Sequence, residues 1–98
     1  MKINFEQEFK TLEGVVIKDE NDEVLTLKKV STNSLMASLP REELTGEQKL
    51  KRYNLANKIH AGEQEVLVED ISLIKEMIGK VYTTLIVGQA YNLLEKVD

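Results

Sequence analysis

The sequence predicts an α+β fold, in which an N-terminal β-hairpin (a small antiparallel sheet) packs against three or four α-helices. Three observations predict it. Two β-branched runs flank a polar cluster between Gly14 and Leu27, a capping box opens a helix at Thr45, and apolar residues recur at helical spacing from Asp70 to Leu94.

A chain of 98 residues makes one domain, mainly hairpin over 1–29 and mainly helical over 30–98. A chain of this size buries roughly two thirds of the surface that it exposes when unfolded. Hydrophobic residues at 42% and charged residues at 31% place it with globular rather than disordered proteins. Cysteine is absent from the sequence, which excludes disulfides, thiolate metal sites and a cysteine nucleophile and suits the cytoplasm. The start, MKINFEQEFK, has no apolar core behind its lysine, so no secretory signal is expected. Apolar runs reach only three residues, as in Leu85-Ile86-Val87, and no membrane span is expected. Net charge is −4, with ten acids against six bases in residues 1–48 and seven of each in 49–98. That balance argues against nonspecific nucleic-acid binding.

In residues 1–12 the apolar positions fit two patterns. Phe5, Phe9 and Leu12 match a helical turn or two, whereas Ile3 and Phe5 match a strand, and both readings stay open. Val15-Val16-Ile17 and Val24 to Leu27 then read as two strands joined by Asp19-Glu20-Asn21-Asp22. Asn21-Asp22 is the pair best able to take a left-handed backbone. A calcium loop starting at Asp19 would need glycine and glutamate where Val24 and Val30 stand, so a solvated turn is the better reading.

Further on, Ser31 or Thr32 can cap a short helix carrying Leu35, Met36 and Leu39, which Pro40 would stop. Neither serine nor threonine there has a histidine–acid pair at a recognisable spacing. Thr45-Gly46-Glu47-Gln48 is the capping box of a helix running to about Ala61, and Gly62 is placed to end it in a left-handed conformation. Gln64 to Val68 reads as a short strand with Val66 and Val68 on one side. Asp70 caps the helical region that follows, which divides into helices at about 70–79 and 83–96; one long helix is the alternative. Gly88 within the second costs about 1 kcal/mol relative to alanine, which suggests close approach of another backbone.

Candidate functional residues are few. Arg52 falls inside the apolar arc formed by Leu55, Ala56 and Ile59. It either lies along the core on its aliphatic stem, pairs with an acid from another element, or anchors a partner. Lys49 and Tyr53 are its companions in a partner-binding reading. The cations Lys49, Lys51, Arg52 and Lys58 are spread around their helix with Glu42, Glu43 and Glu47 nearby, which makes a nucleic-acid regulator built on helix 49–58 the second choice. His60 is the sole histidine and has no metal-ligand partner; a helix C-terminus is reason enough for it. No catalytic residue, metal site or cofactor is expected.

The segments TGEQKLKRYNLA (45–56) and LIVGQAY (85–91), with Leu12-Glu13-Gly14 and the acidic turn after it, resemble a family of small uncharacterised proteins of tailed bacteriophages and prophages. The resemblance implies a phage or prophage origin, and hence a bacterial host cytoplasm, and carries no catalytic or binding residues with it. The expected function is a non-enzymatic accessory protein that acts by protein–protein interaction with a phage factor, a host factor or further copies of itself. Self-association follows from the apolar C-terminal region, which offers more surface than one thin sheet would cover.

Overall fold

The computed structural model describes residues 1–95, which form four helices and no β-sheet. They are α1 (Leu27–Met36), α2 (Gly46–His60), α3 (Val68–Val81) and α4 (Thr84–Glu95). Helix α1 packs on both α2 and α3, and α4 packs on α3. The architecture is all-α, which corrects the α+β expectation.

The expected hairpin fails because its segments close on one another instead of lying side by side. Phe9 N–H donates to Leu25 C=O (3.0 Å), Leu25 N–H to Ile17 C=O (2.9 Å), and Ile17 N–H to Phe9 C=O (2.9 Å). This ring of three bonds joins residues 9, 17 and 25. Each pairing is consumed at its first step, leaving only isolated antiparallel bridges: Glu8 with Thr26, Lys10 with Val16, Lys18 with Val24. A ladder needs consecutive pairs and none extends here. Phe9 and Leu25 enter the core with Ile3 and Phe5, and Ile17 packs against its edge. The turns themselves follow their residues: Gly14 at φ 89° and Asp22 at φ 61° take the left-handed positions.

The second expected strand gives way to a helix. Thr26 caps α1, its hydroxyl accepting from the Lys29 N–H, and Leu27 is already the first helical residue. Ser31 and Thr32, expected as caps, lie inside the helix. Thr32 Oγ1 donates to the Lys28 carbonyl, and Ser31 is fully buried with no hydrogen-bond partner for its hydroxyl among the described residues. The buried residues are Leu27, Val30, Ser31, Ser34 and Leu35, a stripe at i, i+3, i+4, i+7 and i+8. The two serines are small enough to let α2 and α3 approach closely.

Helix α2 follows its local signals. Both capping-box bonds form, Gln48 N–H to Thr45 Oγ1 and Thr45 N–H to Gln48 Oε1. At the other end Gly62 (φ 100°) donates to Ile59 C=O and Glu63 to Lys58 C=O, the paired bonds of a Schellman motif. The strand expected at 64–68 is a single bridge, Lys2 with Glu65; Val66 is buried and Val68 is exposed as the first residue of α3. Asp70 sits one turn into α3, where its carboxylate accepts the Leu67 N–H.

Helices α3 and α4 are separate, and the break falls at Tyr82–Thr83 rather than at Gly79. Residue 96, the expected end of the last helix, lies outside the described residues. Most of the apolar surface in this region is covered within the chain, with Ile71, Ile74, Met77, Ile78, Ile86, Ala90 and Leu94 all buried. The helical α1 supplies the cover that a thin sheet would have lacked. Two side chains fasten α4. Gln89 accepts from the Lys10 N–H and donates to the Lys10 C=O, and the Tyr91 hydroxyl donates to the Lys75 carbonyl (2.8 Å).

The close approach expected at Gly88 is found at Gly79. A methyl group on Gly79 would stand 2.8 Å from the Tyr91 hydroxyl, whereas one on Gly88 would meet nothing within 4 Å. Gly88→Ala is therefore expected to stabilise the protein by up to about 1 kcal/mol through helix propensity. Gly79→Ala gains the same propensity but meets the Tyr91 hydroxyl, and overpacking costs about 1–3 kcal/mol, so it is expected to be neutral to destabilising and less stable than Gly88→Ala. Urea unfolding of both variants checks this, and adding Tyr91→Phe to Gly79→Ala should recover stability by removing the clashing atom.

Candidate interaction surface

The groove between α1 and α2 is walled by both helices and by the linker that joins them. Met36, the last residue of α1, falls off the buried stripe and is 58% exposed, and Tyr53 faces it from α2 at 52%. Between them lie two adjoining hollows that share both side chains. One, of about 400 Å³, is lined by Leu35, Met36, Leu39, Leu44 and Tyr53, with Lys49, Arg52 and Glu42 as its charged groups. The other, of about 280 Å³, runs on to Thr32, Ala56, Asn57 and His60.

Arg52 is buried by this arrangement. Its Nη1 and Nη2 donate to Oε1 and Oε2 of Glu42 at 3.1 and 3.2 Å, a two-pronged pair with side chains only 10% and 15% exposed. Of its three sequence readings, pairing with an acid from another element is the arrangement found. The pair ties the α1–α2 connection, which turns at Arg41 with φ 67°, onto the middle of α2. Lys80 of α3 lies 4.0 Å from the same carboxylate and also pairs with Glu76 at 3.5 Å. Lys49 and Tyr53 line the same hollow as Arg52, so the three residues expected to act together do meet. Lys49 makes no ion pair among the described residues.

Two groove residues escape a reading of the sequence. Met36 is there taken as part of an apolar helical face, and Glu42 as one of several flanking acids. The available signal was the arginine in the apolar arc, which demanded a nearby acid.

The remaining chemistry-bearing residues do not converge. Lys51 and Lys58 lie in a shallow hollow between α2 and α3 that also holds Glu47 and Asp70, and Lys51 shares a second hollow with Arg52 and Glu76. No cluster of three potential metal ligands occurs among the described residues. At the acidic turn, Asp19 Oδ1 accepts the N–H groups of Asn21 and Glu23, and its Oδ2 takes the Lys29 ammonium, which also bonds Glu23. The lysine stands where a bound cation would. No described helix is long and apolar enough to cross a membrane.

These bonds give the turn a pH response. The Glu23 N–H, then the Lys29 ammonium, hold the Asp19 carboxyl below its ordinary value of 3.8. Its contribution to stability is thus fully present above that value and lost as pH falls through the lower folded value. Lys29 is raised above 10.5, chiefly by its bond to Glu23, so its share is present below 10.5 and lost as pH rises through the folded value. The amide resonances of Asn21 and Glu23 are expected to move together in an NMR titration below pH 3.8, and Asp19→Asn should abolish that step.

No protein-family model, curated protein or solved structure matches the chain.

Proposed function

We propose that the chain is a non-enzymatic protein-binding module whose working surface is the Met36–Tyr53 groove, and that it serves as a phage or prophage accessory protein in a bacterial cytoplasm. The observation that carries the binding reading is the pair of exposed apolar side chains, Met36 and Tyr53, that line one groove beside the part-buried Glu42–Arg52 pair. Methionine and tyrosine are among the residue types enriched where proteins bind one another. The Glu42–Arg52 pair lines the same groove and ties the linker to α2. The phage setting rests on the resemblance of residues 45–56 and 85–91. The partner is a phage protein, a host protein or a second copy of the chain.

Nothing favours the nucleic-acid alternative. Arg52 is engaged by Glu42, and Lys58 is separated from Lys49 and grouped with Glu47 and Asp70. A phosphate footprint needs cations on one face without such acids.

The test is capture from bacterial lysate, with and without phage infection, by the tagged chain and by the variant Met36→Lys/Tyr53→Ser. Both positions are exposed, so the variant is expected to fold, as circular dichroism will check. Loss of the captured band with that variant, and its retention by Leu12→Ser at an exposed apolar site elsewhere, is the expected result. Retention by the groove variant and loss by Leu12→Ser would move the working surface to the N-terminal turns.

A further inference from the structure

From the shape and charge of the groove we infer the chemistry of its occupant: an amphipathic helix that carries carboxylates at the end meeting Lys49. The inference rests on the groove being the working surface. Along α2 the groove runs from Lys49 to His60. Eleven steps at 1.5 Å per residue give roughly 16 Å, the length of about three helical turns.

The walls favour a helix over a strand. The α2 wall and the α1 part of the opposite wall are helical, with backbone groups bonded internally. An extended segment would therefore find partners for its own N–H and C=O groups only along the linker residues Ala37, Ser38, Leu39, Glu42 and Leu44. A helix satisfies its backbone by itself and needs only apolar anchors at i, i+3 or i+4, and i+7. Met36, Leu39, Leu44 and Tyr53 offer the matching surface, and methionine adapts to anchors of different shape.

Charge sets the direction. The Lys49 end holds Lys49 and Arg52 against the single carboxylate of Glu42, with Lys80 4.0 Å from that carboxylate. Arg52 has both terminal nitrogens on Glu42, and Lys49 has no ion partner among the described residues. Glu43 is not part of the lining. The far end, at Thr32, Asn57 and His60, holds no carboxylate, lysine or arginine. On a chain of net charge −4, the groove therefore presents a local cationic end that complements an acidic segment and repels a basic one.

The experiment is selection of a displayed library of helix-forming peptides on the full chain, followed by binding measurements on the synthesised winners. Selected peptides are expected to carry apolar residues at helical spacing with Asp or Glu enriched at one end, and to gain helicity when bound. Affinity should fall about tenfold for Lys49→Glu, the size of losing one close charge pair, and should weaken at high salt. Winners that lack acids, or that bind Lys49→Glu equally well, while losing affinity for Met36→Lys/Tyr53→Ser, would overturn the acidic-helix partner and leave the groove as the working surface. Winners that bind the groove variant as tightly as the parent chain, or a selection that enriches nothing, would overturn the groove itself.

Discussion

Replacing Glu42 with alanine is expected to destabilise the fold by about 3 kcal/mol, because it leaves a guanidinium buried without its counter-ion. Arg52 as a residue is 8% exposed, so the water that reaches it from the groove replaces only part of the two bonds that Glu42 supplies. Lys80, 4.0 Å from the carboxylate, is a cation and offers no relief. The linker between α1 and α2 also loses its attachment to α2. Replacing both partners with apolar residues of similar size, Glu42→Leu with Arg52→Met, is expected to recover most of the loss, since neither charge is then left uncompensated. Urea unfolding at neutral pH of the two single variants and the double variant closes the cycle. A cost below about 1 kcal/mol for Glu42→Ala would mean that the pair behaves as an exposed surface pair.

The legible parts of this chain are those whose causes are local. Helix α2 could be read because a capping box, an apolar arc and a terminal glycine lie within eighteen residues, 45–62, and each acts on its near neighbours. The acidic turn could be read for the same reason, down to the left-handed backbone at Asp22. Whether the segments on either side of that turn form a sheet is decided elsewhere. It depends on Phe9, whose N–H takes the Leu25 carbonyl and whose C=O takes the Ile17 amide, closing the ring before a second pair can form. Nothing within the hairpin signals this.

Helix α1 is legible only in its second half, as the short helix expected to start at Ser31 or Thr32. Its stripe uses Ser31 and Ser34 as buried residues, so a pattern built on large apolar side chains does not extend it back to Leu27, and Val, Ser, Thr and Asn give it poor intrinsic propensity. Packing against α2 and α3 overrides that propensity. The start at Leu27 was masked by the strand-like Val24–Leu27, within which Thr26 is the cap. The candidate site inherits the error. Once α1 is placed, Met36 is seen to follow the stripe by one residue, which turns it outward to face Tyr53.

Phe9→Ala should produce a larger loss, about 3–5 kcal/mol, through the removed apolar surface and the cavity left behind. Domains of this size have total stabilities of about 5–15 kcal/mol, so the variant is expected to be marginal. The size of the effect tests whether residues 1–26 belong to the same cooperative unit as the helices, although they form no sheet of their own. The structure predicts that they do: Phe9 is 0% exposed in a core shared with Val30, Ile74 and Leu94, and Gln89 of α4 holds both backbone groups of Lys10 next to it. Far-ultraviolet circular dichroism and tyrosine fluorescence, which reports on Tyr53, Tyr82 and Tyr91, should then show one coincident transition moved to lower urea. Phe9→Met, which keeps more of the volume, should cost less. A loss below about 1 kcal/mol, or rapid amide exchange confined to residues 1–26 while the helices stay protected, would mean that the N-terminal segment unfolds separately. The core would then be that of the four helices alone.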